Sequence, residues 1–199
     1  MQGVQDFVIK PIKSRYTNTK KVGDTDLILN TNIYTHQFVN REAEVISTPI
    51  LNDTNIKKGD KIIVHHNIFR RWHDQYGVEK NSRSYYKEDM YFVRKDQIFL
   101  YKPKNKWESL EGFCFIKPIK SNDIFNTSNE KSLIGVIKYV DNNLKEIKSG
   151  DLVGFSPNSE YEFIIDGERL YRVTTHSITI KYEYKGNEEE YNPSWAQSS

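Results

Sequence analysis

The chain has 199 residues, with 29 basic and 27 acidic side chains, a formal charge of +2 and 37% hydrophobic content. The near-balance of charge gives no overall field for nucleic acid, and ten glycines and six prolines exclude collagen-like and low-complexity classes. A single cysteine, Cys114, rules out an intrachain disulfide and suits a reducing, cytoplasmic compartment.

Thirteen Tyr, ten Phe and three Trp supply bulky core material and favour strands over helices. No apolar run reaches the length of a membrane-spanning helix. Met1–Asp6 lacks the basic-then-apolar pattern of a signal peptide. Helical periodicity is absent, and short apolar or alternating runs follow one another. They are Phe7–Ile12, Glu44–Ser47, Lys61–Val64, Met90–Val93 and Gln97–Tyr101 in the first half. The second half has Phe113–Ile119, Leu133–Val140, Asp151–Phe155, Glu162–Ile165, Arg169–Val173 and Ser177–Tyr184. Turn signals such as Lys58-Gly59-Asp60, Ser149-Gly150-Asp151 and Asp166-Gly167-Glu168 separate them, a spacing that predicts an all-β sandwich or barrel.

The two halves repeat. Lys10-Pro11-Ile12-Lys13-Ser14 recurs as Lys117-Pro118-Ile119-Lys120-Ser121, 107 residues on (117 − 10). Ile56–Asp60 answers Ile147–Asp151, and Asp96-Gln97-Ile98 answers His176-Ser177-Ile178. Three landmarks in one order indicate a tandem duplication, with Lys102–Lys106 as the linker. From the repeated Lys to the Gly-Asp turn, the first half takes 50 residues (60 − 10) and the second 34 (151 − 117). From that Asp to the later Ile the counts are 38 (98 − 60) and 27 (178 − 151). The first half thus carries two insertions, within Arg15–Arg41 and Ile68–Asp89. Insertions on a shared scaffold are where function diverges.

This pattern resembles the GroES-like co-chaperonin (chaperonin-10) family. The resemblance rests on Phe7–Lys13, Glu44-Val45-Ile46, Ile56–Val64 and Asp96–Leu100 in the first half. In the second it rests on Gly135-Val136-Ile137, Ile147–Phe155 and Ile165–Glu168. It implies two tandem GroES-like β-barrels. Residues 1–104 would hold a barrel with a long mobile loop (about 15–41) and a hairpin insertion (about 68–89). Residues 105–185 would form a second barrel without the long loop, and 186–199 a flexible, solvated tail. Short segments at Ser47–Asn55 and Asp141–Glu146, where the family builds its roof, suggest a phage-type member acting in a host cytoplasm. The implied function is non-enzymatic and needs no cofactor or metal. A homo-oligomer, a seven-membered ring by family analogy, would cap the ATP-bound ring of a GroEL-like chaperonin, meeting unfolded clients only indirectly. Leu27-Ile28-Leu29 stands where the family's docking tripeptide lies, and Gly23 would loosen the loop. Thr25-Asp26 replaces the family's usual Gly-Gly. An ordinary edge strand is the competing reading of the triplet. Ile124-Phe125 is a weaker counterpart in the second half.

Other signals are thinner. His65, His66 and His73 lie close together, but adjacent histidines on a strand face opposite ways, which disfavours a metal site. Phe69-Arg70-Arg71-Trp72-His73, Lys80, Arg83, Tyr85, Tyr86 and Lys87 interleave cations with aromatics, as single-strand binders do. Asp74, Glu79, Glu88 and Asp89 weaken that electrostatic case. Asp24/Asp26 and Asp166/Glu168 read as turn chemistry rather than acid–base pairs. A structural or assembly protein, of viral or other origin, and a nucleic-acid-binding β protein are the alternative functions. No Gly-x-Gly-x-x-Gly fingerprint or cysteine-rich metal site supports the dehydrogenases that share this barrel.

Overall fold

A computed structural model describes residues 2–16, 19–22, 25–28, 38–122, 129–184 and 186–197, with the backbone alone for 19–22 and 25–28. The chain is all-β and divides into two compact units, Met1–Trp107 and Glu108–Ser199. The first unit contains β1 (Phe7–Pro11), β2 (Thr19–Val22), β3 (Thr25–Ile28), β4 (Glu42–Ser47) and β5 (Lys61–Val64). It continues with β6 (Arg71–His73), β7 (Glu79–Asn81), β8 (Tyr85–Lys87), β9 (Met90–Val93) and β10 (Ile98–Lys102). The second unit opens with the two-residue β11 (Glu108–Ser109). Then come β12 (Phe113–Lys120), β13 (Glu130–Tyr139), β14 (Leu152–Phe155), β15 (Tyr161–Ile165), β16 (Glu168–Thr174), β17 (Ile178–Lys181) and the one-turn α1 (Ser194–Gln197). Each of the eleven runs expected from the sequence contains a strand.

Within the first unit, β10-β5-β4-β1-β9-β8 lie side by side and antiparallel. Within the second, β17-β14-β13-β12-β16-β15 do the same. Element for element, the two orders are identical. The expected barrels are a different matter: among the described residues no ladder joins the two ends of either sheet, so neither closes by hydrogen bonding.

The correspondence reaches single bonds. Gly59 N–H donates to Val45 O at 2.8 Å, as Gly150 N–H does to Ile137 O at 2.8 Å. The Asp60 carboxylate accepts Lys57 N–H at 2.7 Å, and that of Asp151 accepts Lys148 N–H at 2.7 Å. Both glycines take the left-handed φ, +90° and +93°, that L side chains resist. Burial raises the Asp151 pKa, but the Lys181 ammonium and the Lys148 N–H outweigh it and hold the carboxyl below its usual range. Register irregularities fall at Val8/Ile9 and at Phe115/Ile116, matching positions.

The repeated Lys-Pro-Ile-Lys-Ser phrase has a backbone reason. β1 is paired to β9 only through Ile9, and β12 to β16 only through Ile116. Ile12 N–H faces β4, donating to Glu42 O at 3.0 Å, so by strand alternation the nitrogen of Pro11 faces the other edge, past the end of β9. A proline there costs no ladder bond. In the second unit the vacated edge is taken by the C-terminal segment: Lys120 N–H donates to Glu189 O and Tyr191 N–H to Pro118 O. Glu190 pairs with Lys117 at 2.7 Å, Glu188 with Lys131 at 2.8 Å, and Ala196 is fully buried. Through residue 197 the segment expected to be a free tail is therefore placed against the sheet; its acid run meets lysines some 57–73 residues away in sequence.

Three consecutive residues of each central strand are buried, Phe7-Val8-Ile9 and Cys114-Phe115-Ile116. Cys114 packs with Ile116, Ile137, Val153, Phe155 and Val173, and burial pushes its thiol up to about 11. On the other face Phe115 meets Phe163 edge-on at 5.7 Å.

Gly135 should tolerate no side chain: a Cβ would stand 2.3 Å from Lys117 O. Gly135→Ala is expected to cost about 1–3 kcal/mol and Gly150→Ala about 1–2 kcal/mol, each read as faster amide exchange within the second unit. Native Cys114 should stay unreactive to a thiol reagent at pH 8 on the timescale of minutes, and react at once when the chain is denatured.

Candidate functional site

The first insertion leaves the sheet between the adjacent strands β1 and β4, so its ends must be held together. Asn40 does this: its side-chain amide donates to Ile12 O at 2.6 Å and Ser14 O at 2.8 Å, while its Oδ1 accepts Glu42 N–H at 2.8 Å. Tyr16 bridges Val39, and Asn40 N–H donates to Arg15 O at 2.9 Å. Above this stem β2 and β3 form an antiparallel ribbon in which Leu27 faces Lys20 and Ile28 faces Thr19. Leu27 and Ile28 thus lie on the strand β3. Gly23 and Leu29 lie outside the described residues, as does Ile124-Phe125.

The second insertion is the ribbon Arg71–Asn81, 11 residues (81 − 71 + 1) inside the stretch Ile68–Asp89, as the difference of the two counts (38 − 27) requires. β8 belongs to the main sheet as the counterpart of β15, and the extra element is the ribbon β6–β7. The two insertions touch. Tyr16 Oη accepts Arg71 N–H at 2.8 Å, and the Arg71 guanidinium lies 4.8 Å from the Tyr16 ring centre. Arg15 donates to Asn81 Oδ1 at 2.8 Å and Phe69 O at 3.1 Å. The stem of the proposed docking loop is therefore also the anchor of the extra ribbon. No sequence signal singled out Arg15 and Tyr16, because their partners lie 54–66 residues away.

An open cleft of about 560 Å³ lies at the foot of this ribbon, lined by Arg70, Trp72, His73, Arg83, Asn67 and Gln97 among others. Among the described residues no carboxylate lines it. Three nearby acids are engaged elsewhere: Glu79 with Arg71 at 3.1 Å, Asp74 with Lys80 at 3.4 Å, Asp96 with Arg94 at 3.1 Å. The Val78 N–H, ahead of Lys80, holds the Asp74 carboxyl below its usual value.

The histidines differ from expectation. β5 ends at Val64, so His65 and His66 are not on opposite strand faces; their rings stack at 4.4 Å, and His65 Nδ1 caps the following turn by accepting Asn67 N–H at 3.1 Å. Among the described residues no group of three or more His, Cys, Asp or Glu is placed to hold a metal. Asp166-Gly167 forms the β15–β16 turn in left-handed conformations, and Glu168 pairs with Lys138 and, at 3.6 Å, with Lys117. No described helix is long and apolar enough to cross a membrane.

No protein-family model matches the chain, and no curated protein matches it in sequence. If Tyr16 ties stem to ribbon, Tyr16→Phe strips a buried acceptor from the Arg71 amide, a loss of about 1–3 kcal/mol. Amide exchange at Arg71–His73 should accelerate, with β12–β16 unchanged.

Proposed function

We propose that this chain is a co-chaperonin. It is built from two GroES-like barrel units and caps a GroEL-like chaperonin ring that supplies the ATP hydrolysis. The observation that carries the reading is the asymmetry between two otherwise equal sheets. Both have one strand order and one Gly-Asp turn, but only the first has a long excursion between its paired strands, with a ribbon bearing Leu27 and Ile28.

In this reading the sheets are wall and the excursion is the anchor. Leu27-Ile28-Leu29 provides three contiguous apolar groups among Thr, Asp and Asn, enough for a hydrophobic foothold on a polar tether. Each chain brings one such anchor; a closed ring brings several at once. Weak contacts multiplied by ring symmetry give firm yet reversible capping, as a lid that must leave each cycle requires. The chemistry of client folding stays with the chaperonin, and the chain itself is not an enzyme.

Electron microscopy of the chain mixed with a GroES-dependent chaperonin and ATP should show capped rings. The triple variant Leu27→Asp, Ile28→Asp, Leu29→Asp should abolish capping while leaving the sheets folded. Equal behaviour of wild type and variant would remove docking through this loop, and a monomer in light scattering would remove the ring.

A further inference from the structure

The ribbon that flanks the cleft has no counterpart in the second unit, where only Ser156–Glu160 joins β14 to β15. Its lining is chemically one-sided. Arg70 is half-buried, with its Nε shut off from solvent and, among the described residues, without a hydrogen-bond partner. Among the described residues neither Arg70 nor Arg83 forms an ion pair. Of the carboxylates of this stretch, Glu79 and Asp74 are paired with Arg71 and Lys80, and Asp96 beyond it with Arg94, none of which lines the cleft; Glu88 and Asp89 are not among its lining residues either. A pair of uncompensated guanidiniums in one concavity is a site for an oxyanion, and their fork geometry suits phosphate. Trp72, 45% exposed, stands on the same wall and offers an indole face. Asn67, Gln97 and Ser84 add neutral donors and acceptors. The volume falls within the range of small-ligand sites.

We propose that this cleft binds a nucleotide, its phosphate held by Arg70 and Arg83 and its base stacked on Trp72. The shared chemistry, an anionic phosphate joined to a flat heteroaromatic ring, is met by a free nucleotide or by one unit of a single strand. None of its lining residues lies in the excursion between β1 and β4, although the ribbon that carries Trp72 is anchored on the stem of that excursion.

The test is calorimetric titration of the full chain, without chaperonin, using adenosine monophosphate, ribose 5-phosphate and tetraadenylate. Adenosine monophosphate should saturate, and ribose 5-phosphate should bind roughly tenfold more weakly for want of a base to stack. Trp72→Ala should bring adenosine monophosphate down to the ribose 5-phosphate level and leave the latter unchanged. Arg83→Glu, an exposed position, should abolish both; Arg70→Gln should weaken both. Amide exchange at Arg71–His73 in each variant reports that the ribbon stays in place. Tetraadenylate binding roughly tenfold tighter than the monomer identifies a strand as the source, and equal affinity identifies a free nucleotide. Absence of saturable binding by both, or binding indifferent to Arg83→Glu, overturns the proposal.

Discussion

Each unit depends on one central strand that is hydrogen-bonded along both edges for half its length and buried on both faces. Phe7-Val8-Ile9 and Cys114-Phe115-Ile116 are the only places where three successive side chains of these two strands vanish together, so the ladders on either side are locked in register by the core rather than by turn chemistry. The remaining half of each strand runs past the end of its neighbour, β9 in the first unit and β16 in the second, where residues 189–191 take the edge instead. A proline is therefore tolerated there, and the chain can leave the sheet a few residues later.

That arrangement explains where variation is permitted. The Gly-Asp turns close onto β4 and β13 and admit little change, as their matching bond lengths show. The excursion after Ser14 and the ribbon after Phe69 hang from bonds outside the ladders: Asn40 clamps the first, Tyr16 and Arg15 the second. Both can grow or shrink without disturbing the core.

Most of the scaffold was legible in the sequence. Alternating runs punctuated by Gly-Asp signals located the principal strands, and the ordered repetition of three landmarks anticipated the shared strand order. What stayed hidden depended on distant partners. Arg71-Trp72-His73 and Glu79-Lys80-Asn81 are too short and too polar to announce a ribbon separate from β8. His65-His66 reads as a continued strand, yet Asn67 N–H turns it into a cap. Glu189 and Glu190 are exposed, as their acid run suggests, but its pairing with Lys131, Lys120 and Lys117 is hidden because those lysines lie far back in the chain. The cleft was half visible: its cations and indole were noted in sequence, but only the folded geometry separates Arg70 and Arg83 from the acids that appeared to balance them.

The bond between Tyr16 and Arg71 bears on modularity. An excursion that shares its stem with a neighbouring ribbon is not an exchangeable cassette. Transplanting residues 15–41 into a related scaffold would bring the tyrosine without the amide and guanidinium that seat it. The smallest portable piece is the pair of insertions together, and inheritance would be expected to keep or lose them as one.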